Sequence, residues 1–177
     1  MSNLKETTKK ENIVYDGKIM TVKKDTVILP NGKTSFREVV KHNGGSAVLC
    51  EVDGKILFVK QYRYSVGEEL LELPAGKLEK GETPESTAIR ELEEEGGLLC
   101  ESVELLSAFY PTPGYSSEKI FVYRAVNPKK TAMHLDENEF LENLWLDIDT
   151  VKEYIKNGKI TDAKTVIGIN TYLLNRR

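Results

Sequence analysis

The sequence predicts an α/β (α+β) domain built in layers, preceded by an antiparallel β extension. Three observations predict it. Short β-branched and apolar runs separated by Asn-Gly and Asp-Gly turns occupy the first part of the chain, an acidic amphipathic helix interrupts them near its middle, and the chain ends in two stretches of helical periodicity. With 177 residues and 40% hydrophobic content, the chain is long enough for one well-buried core and short for two ordinary domains.

Residues 1–11, polar and charged, are expected to be a frayed tail. Residues 12–43 are expected to form an N-terminal β-hairpin extension, and residues 44–177 the domain proper. Ile13-Val14-Tyr15 precedes an Asp16-Gly17 turn, residues 19–29 are rich in β-branched side chains, Pro30-Asn31-Gly32 turns the chain, and residues 33–42 return as a strand. Such a hairpin buries little by itself, so it must pack on its own domain or on another chain. Residues 46–52 are almost continuously apolar, as in a strand covered on both faces. Asp53-Gly54 turns into a strand over 55–64, and a short strand over 70–73 leads through Pro74-Ala75 to Gly76. Beyond the acidic helix, strands are expected over 102–110, 119–126 and 144–146, and helices over 149–156 and 162–175. Residues 127–140 are too irregular to assign.

A net charge of −3 and a pI near 5.6 argue against broad electrostatic binding of nucleic acid. No segment has the length of a membrane span and the N-terminus lacks the apolar run of a signal peptide, so a cytoplasmic location is expected. Cys50 and Cys100 both adjoin apolar stretches and are expected to be buried, reduced thiols.

The chemistry concentrates in residues 76–98, a loop feeding the acidic helix. Thr83 is the expected N-cap, Pro84 suits the first helical position, and Gly96-Gly97 ends the helix. Glu91, Glu94 and Glu95 stand at i, i+3 and i+4 and share one face, while Ala88, Ile89 and Leu92 turn inward. Acids at helical spacing ordinarily make a solvated surface. Here, however, residues 76–97 hold seven acids against Lys77, Lys80 and Arg90, so the negative excess of the whole chain sits in this one segment. Carboxylates so crowded repel unless something positive joins them, and hard oxygen donors suit a divalent cation such as Mg²⁺.

Gly76, Glu82, Arg90, Glu91, Leu92, Glu94, Glu95, Gly97 and Leu98 also carry a resemblance. In identity and spacing they match the signature of the Nudix hydrolases. The resemblance implies a curved mixed sheet sandwiched between helices, with residues 44–177 as the catalytic domain, and hydrolysis of a diphosphate dependent on Mg²⁺, with Mn²⁺ as a possible substitute. It implies Glu91 and Glu95 as metal ligands, Glu94 as the second choice for that role, and the Ala75 carbonyl as a further ligand. Arg90 is assigned to orientation of the cluster and Glu82 to its support, while Gly76 and Gly97 serve backbone geometry. The acidic run 135–140 resembles a loop that supplies both a base and a ligand in the ADP-ribose pyrophosphatase branch, which implies Glu137 as general base and Glu139 as metal ligand.

The same branch is resembled by Pro113, sixteen positions past Gly97, by the surrounding residues 110–118, and by the stretches 37–40, 61–64 and 72–79. These imply Arg37, Arg63, Pro113, Gly114 and Glu118 as substrate residues. Arginines at such positions suit phosphate, and Glu118 can accept from sugar hydroxyls. Tyr15, Tyr62, Tyr64 and Tyr115 are available for stacking on a base, whereas His42 and His134 lack any ligand spacing. The resemblance further implies a nucleoside diphosphate substrate and a homodimer joined through its N-terminal strands. The expected activity is cleavage of ADP-ribose to AMP and ribose 5-phosphate. The alternatives are a nucleotide-sugar or dinucleoside polyphosphate pyrophosphatase and, from another class, a non-catalytic ADP-ribose sensor, which would have little need of a full acidic cluster.

Overall fold

The computed structural model describes residues 4–135, 137–138 and 140–176. The chain divides into two compact units, Met1–Gly44 with Tyr110–Lys119, and Gly45–Phe109 with Ile120–Arg177.

The first unit contains β1 (Thr7–Lys10), β2 (Ile13–Asp16), β3 (Thr21–Ile28) and β4 (Thr34–Lys41). The expected hairpin is present, with β3 antiparallel to β4 from Thr21 opposite Lys41 to Ile28 opposite Thr34. On the other edge of β3, β1 pairs with its C-terminal half and β2 with its N-terminal half. Residues 7–10, expected in a frayed tail, are therefore a strand. Thr-Thr-Lys-Lys has no apolar pattern to announce it; main-chain hydrogen bonds to an otherwise open strand edge order it. The unit also takes in residues 110–119, which the sequence assigned to the main domain. Val40 N–H donates to the Tyr115 carbonyl at 2.8 Å and Ser117 N–H to the Val40 carbonyl at 2.9 Å, a pairing across a sequence gap that no local pattern encodes.

The second unit runs β5 (Gly45–Leu49), β6 (Glu51–Val52), β7 (Lys55–Arg63), β8 (Glu68–Glu72), β9 (Ala75–Lys77), α1 (Pro84–Glu94), β10 (Leu98–Leu99), β11 (Ser102–Phe109), β12 (Ile120–Val126), β13 (Lys129–Lys130), β14 (Leu141–Asp147), α2 (Ile148–Lys156) and α3 (Ala163–Asn175). One sheet has the order β11-β12-β5-β9, mixed because β12 and β5 run parallel. A second joins β14, β7 and β6, with β8 on the other edge of β7. Residues 127–140, unassigned from sequence, contribute β13, which pairs with β10 just past the acidic helix.

Alternation along the central strands produces two cores. Ala47 and Leu49 of β5, with Ile56 and Phe58 of β7, pack with Val151, Ile169 and Tyr172 of α2 and α3. Val48, Cys50 and Leu57 point the other way, against Ala88 and Leu92 of α1. These strands are covered on both faces, as their apolar runs require, and helices flank the sheets within this unit. Cys50 is buried and burial pushes its thiol up to about 12, while Cys100 is half-buried; both are free thiols. No helix among the described residues is long and apolar enough to cross a membrane.

Candidate active site

The N-terminus of α1 is capped as its sequence requires. Thr83 Oγ1 accepts from Ser86 N–H, Ser86 Oγ accepts from Thr83 N–H, and Pro84 fills the first turn. At the other end Gly97 takes a φ of 62°, a left-handed conformation suited to glycine, and its carbonyl accepts from Thr131 N–H. The helix is thus fixed at both ends, and the side chains of its third turn have a defined aim.

Arg90 is the hub. Its Nε and Nη2 contact the two Glu82 oxygens at 2.8 and 3.1 Å, while Nη1 donates to Glu91 Oε1 at 2.6 Å and to Glu94 Oε2 at 2.7 Å. Three glutamates thus share one guanidinium. Glu82 also accepts from the Thr87 hydroxyl and the Glu79 N–H. The Arg90 hydrogen bond, against a smaller opposing effect of burial, lowers the Glu82 carboxyl to about 2. The same bonds, against burial, raise Arg90 above the ordinary arginine range.

Glu91 and Glu95 are buried, at 8% and 2% exposure, and both meet the backbone of β9. Glu95 Oε2 accepts from Ala75 N–H at 2.8 Å, and the Asn143 side chain donates to the Glu95 carbonyl at 3.0 Å. A Cβ on Gly76 would lie 1.8 Å from Glu91 Oε1, so only glycine leaves room for this carboxylate. Two buried carboxylates at a bare stretch of backbone are a hard-oxygen donor set that fits Mg²⁺ or Mn²⁺, ions that bind few protein ligands and retain water. Among the described residues no group of three or more potential ligands is gathered as a cage. Glu94, the second-choice ligand, is held by Arg90. Glu137 is exposed in a turn, and Glu139 lies outside the described residues.

The expected substrate residues divide between the units. In the second, Arg63 grips the buried Glu72 with Nε and Nη2 at 2.6 and 2.7 Å. Lys164 binds the same carboxylate, and Leu73 N–H donates to Thr165 Oγ1 at 2.9 Å. In the first, Arg37 pairs with Glu6 and donates to the Phe36 carbonyl. Pro113 and Gly114 occupy a turn in which the Thr112 carbonyl accepts from Ser116 N–H at 3.0 Å. Glu118 Oε1 lies 3.4 Å from His42 Nδ1. Glu6, Asn143 and Lys164 were missed by sequence reasoning, because each acts across a long stretch of chain with no fixed spacing to the signature, and Glu72 was marked only as the start of the stretch 72–79, with no role of its own. The signal available for Glu72 was its place among the apolar Leu70, Leu71 and Leu73.

Comparison with known proteins matches a family model described as NUDIX domain over residues 40–166, and one described as nucleoside diphosphate sugar hydrolase N-terminal domain over residues 6–40. A methanol dehydrogenase activator of Bacillus methanolicus is 44% identical over 93% of this chain and 90% of its own. An ADP-ribose pyrophosphatase of Bacillus subtilis is 41% identical over 96% and 93%, and one of Mycobacterium tuberculosis is 34% identical over 93% and 81%. A solved structure described as an ADP compounds hydrolase superposes with a TM-score of 0.86 at 20% identity, over 96% of this chain and 93% of that one, and so shares the fold.

Proposed function

The chain belongs to the Nudix hydrolase family, and from that membership we propose that it hydrolyses ADP-ribose to AMP and ribose 5-phosphate. The observation that carries the reading is the pair of buried carboxylates, Glu91 and Glu95, at the Ala75–Gly76 backbone. The names of the Bacillus subtilis and Mycobacterium tuberculosis relatives support the substrate.

Mg²⁺, with Mn²⁺ as substitute, would be held by Glu91, Glu95 and the Ala75 carbonyl, with Glu139 as a further ligand. When bound, the ion neutralises phosphate charge and polarises phosphate oxygens. Arg90 fixes the directions of Glu91 and Glu94 and lessens their mutual repulsion before any ligand arrives. Glu137, exposed to solvent in its turn, is the general base that takes a proton from the attacking water. Arg37 and Arg63 bind phosphate oxygens, Arg63 through the edge outside its fork with Glu72. Pro113 and Gly114 shape the loop, and Glu118 accepts from sugar hydroxyls. The protein is a cytoplasmic homodimer joined through its N-terminal strands. Support for this comes from the first unit, where Val27 is the one buried hydrophobic side chain among the described residues while Ile13, Val14, Tyr15 and Phe36 are exposed.

A second reading, hydrolysis of a nucleotide sugar, is favoured by the family description matched over residues 6–40. Purified protein with Mg²⁺ and a panel of ADP-ribose, nucleotide sugars and dinucleoside polyphosphates, compared by kcat/KM, decides the substrate. ADP-ribose is expected to lead, and a tenfold advantage for any other compound, about 1.4 kcal/mol in transition-state binding, overturns the assignment. In the same assay Glu95→Gln is expected to remove most turnover. Glu137→Gln is expected to lower turnover while calorimetry still shows metal binding, and full activity in that variant removes Glu137 as the base.

A further inference from the structure

We propose that His42 is a positioning residue that sets the Glu118 carboxylate for a ligand's hydroxyl groups; this rests on the reading of Glu118 as a substrate residue. His42 follows β4 directly, and no sequence spacing marks it. Within the first unit, however, it is tied to the 116–118 segment from two sides. Its main-chain N–H donates to Ser117 Oγ at 3.2 Å, and its ring Nδ1 lies 3.4 Å from Glu118 Oε1.

The ring itself is fixed by a hydrogen bond from the backbone that follows it. Gly44 N–H donates to His42 Nδ1 at 3.0 Å, so this nitrogen is an acceptor carrying no proton. An acceptor cannot donate to the neighbouring carboxylate. Nδ1 and Glu118 Oε1 are then two acceptors 3.4 Å apart that repel, so the ring closes off the rotamers that would bring the carboxylate nearer and leaves both oxygens to hydroxyl donors. Exposure divides the pair accordingly: the His42 side chain is 16% exposed and that of Glu118 31%. The rest of the segment is anchored independently. Ser116 Oγ accepts from Glu118 N–H at 3.1 Å, and Val40 exchanges main-chain bonds with Tyr115 and Ser117. With the backbone held by those bonds, the ring is left to govern the carboxylate. A lysine or arginine at position 42 would instead pair with Glu118 and compete with the ligand.

The test compares His42→Leu, His42→Asn, Glu118→Gln and the double variant His42→Leu/Glu118→Gln in ADP-ribose hydrolysis, with thermal melting of each. His42→Leu is expected to raise KM about fivefold with kcat within about twofold, as for loss of one oriented hydrogen bond to a bound ligand. His42→Asn, whose Oδ1 can accept from Gly44 N–H in place of Nδ1, is expected to restore most of the affinity. In the Glu118→Gln background His42→Leu is expected to add nothing further to KM, because it acts through the carboxylate already removed. An unchanged KM in His42→Leu, or effects that add independently in the double variant, overturns the proposal. Should His42→Leu fail to fold, His42→Gln, whose carbonyl stands further from the backbone than Nδ1, takes its place with the same expected rise in KM. Absence of ADP-ribose turnover in the parent protein overturns the underlying reading together with this one. Normal parent turnover with an unchanged KM in the variants overturns this one alone.

Discussion

Glu72 is ionised at 1% exposure because two cations reach it. Burial opposes its charge, but the Arg63 fork and the Lys164 ammonium outweigh burial and bring the carboxyl down to about 2, from an ordinary value of 4.5. A carboxylate with a depressed folded value contributes stability that is fully present above the unfolded value and is lost as pH falls through the folded one. Glu72 therefore contributes about 3 kcal/mol at neutral pH, and that contribution declines between about pH 5 and pH 2. Glu72→Gln is expected to cost about 3 kcal/mol at neutral pH, since it leaves Arg63 and Lys164 without their counter-charge. Urea midpoints measured across the acid range should show the gap between parent and variant narrowing as pH falls. A constant gap would mean that Glu72 is not ionised in the folded protein. The sequence singled out Arg63 as a candidate for binding phosphate. Its partnership with Glu72 and Lys164 was not legible there, because position 164 is set beside position 72 only by the packing of α3.

The union of β9 with α1 shows what one element demands of another. The helix was legible down to its cap, because Thr83, Pro84 and Gly97 act within a few residues of themselves. The three-residue strand β9 was not expected, since its pairing with β5 depends on long-range register. Its glycine is where the two meet. On Gly76→Ala, the new methyl group would fall on the Glu91 carboxylate, the far end of a flexible side chain, so the carboxylate should swing aside and the fold survive. The melting temperature is expected to stay within ~3 °C of the parent. Mn²⁺ affinity, read by calorimetry apart from turnover, is expected to fall about tenfold, as when a ligand loses its orientation. Unaltered affinity would exclude Glu91 as a ligand.

At the scale of the whole molecule, the two units differ in how they are stabilised. The second contains both apolar cores, while residues 1–44 carry nine basic against five acidic side chains and leave Ile13, Val14 and Tyr15 more than half exposed. Successive residues of a strand face opposite ways, so β2 is bare on both sides. If a second copy covers it, the parent should sediment as a dimer. Val14→Glu should raise the dimer dissociation constant by roughly 100-fold, since a charge would then be buried without a partner. A monomeric parent, or a variant that still dimerises normally, would rule out the N-terminal strands as the interface.

The sequence by itself determined whatever is decided within a turn or two of chain. That includes the continuous apolar run that buries β5 on both faces, the capped acidic helix, the hairpin turn at Asn31-Gly32, and the spacing that sets Glu91 and Glu95 one helical turn apart. Tertiary structure decided which distant groups meet. It delivered Lys164 to Glu72, joined residues 110–119 to the N-terminal strands, and set His42 beside Glu118. The physical reason is one of range. Dihedral preferences and side-chain periodicity act between near neighbours, whereas a hydrogen bond or ion pair between remote residues forms only after burial of the apolar faces has fixed the strands and helices that carry them.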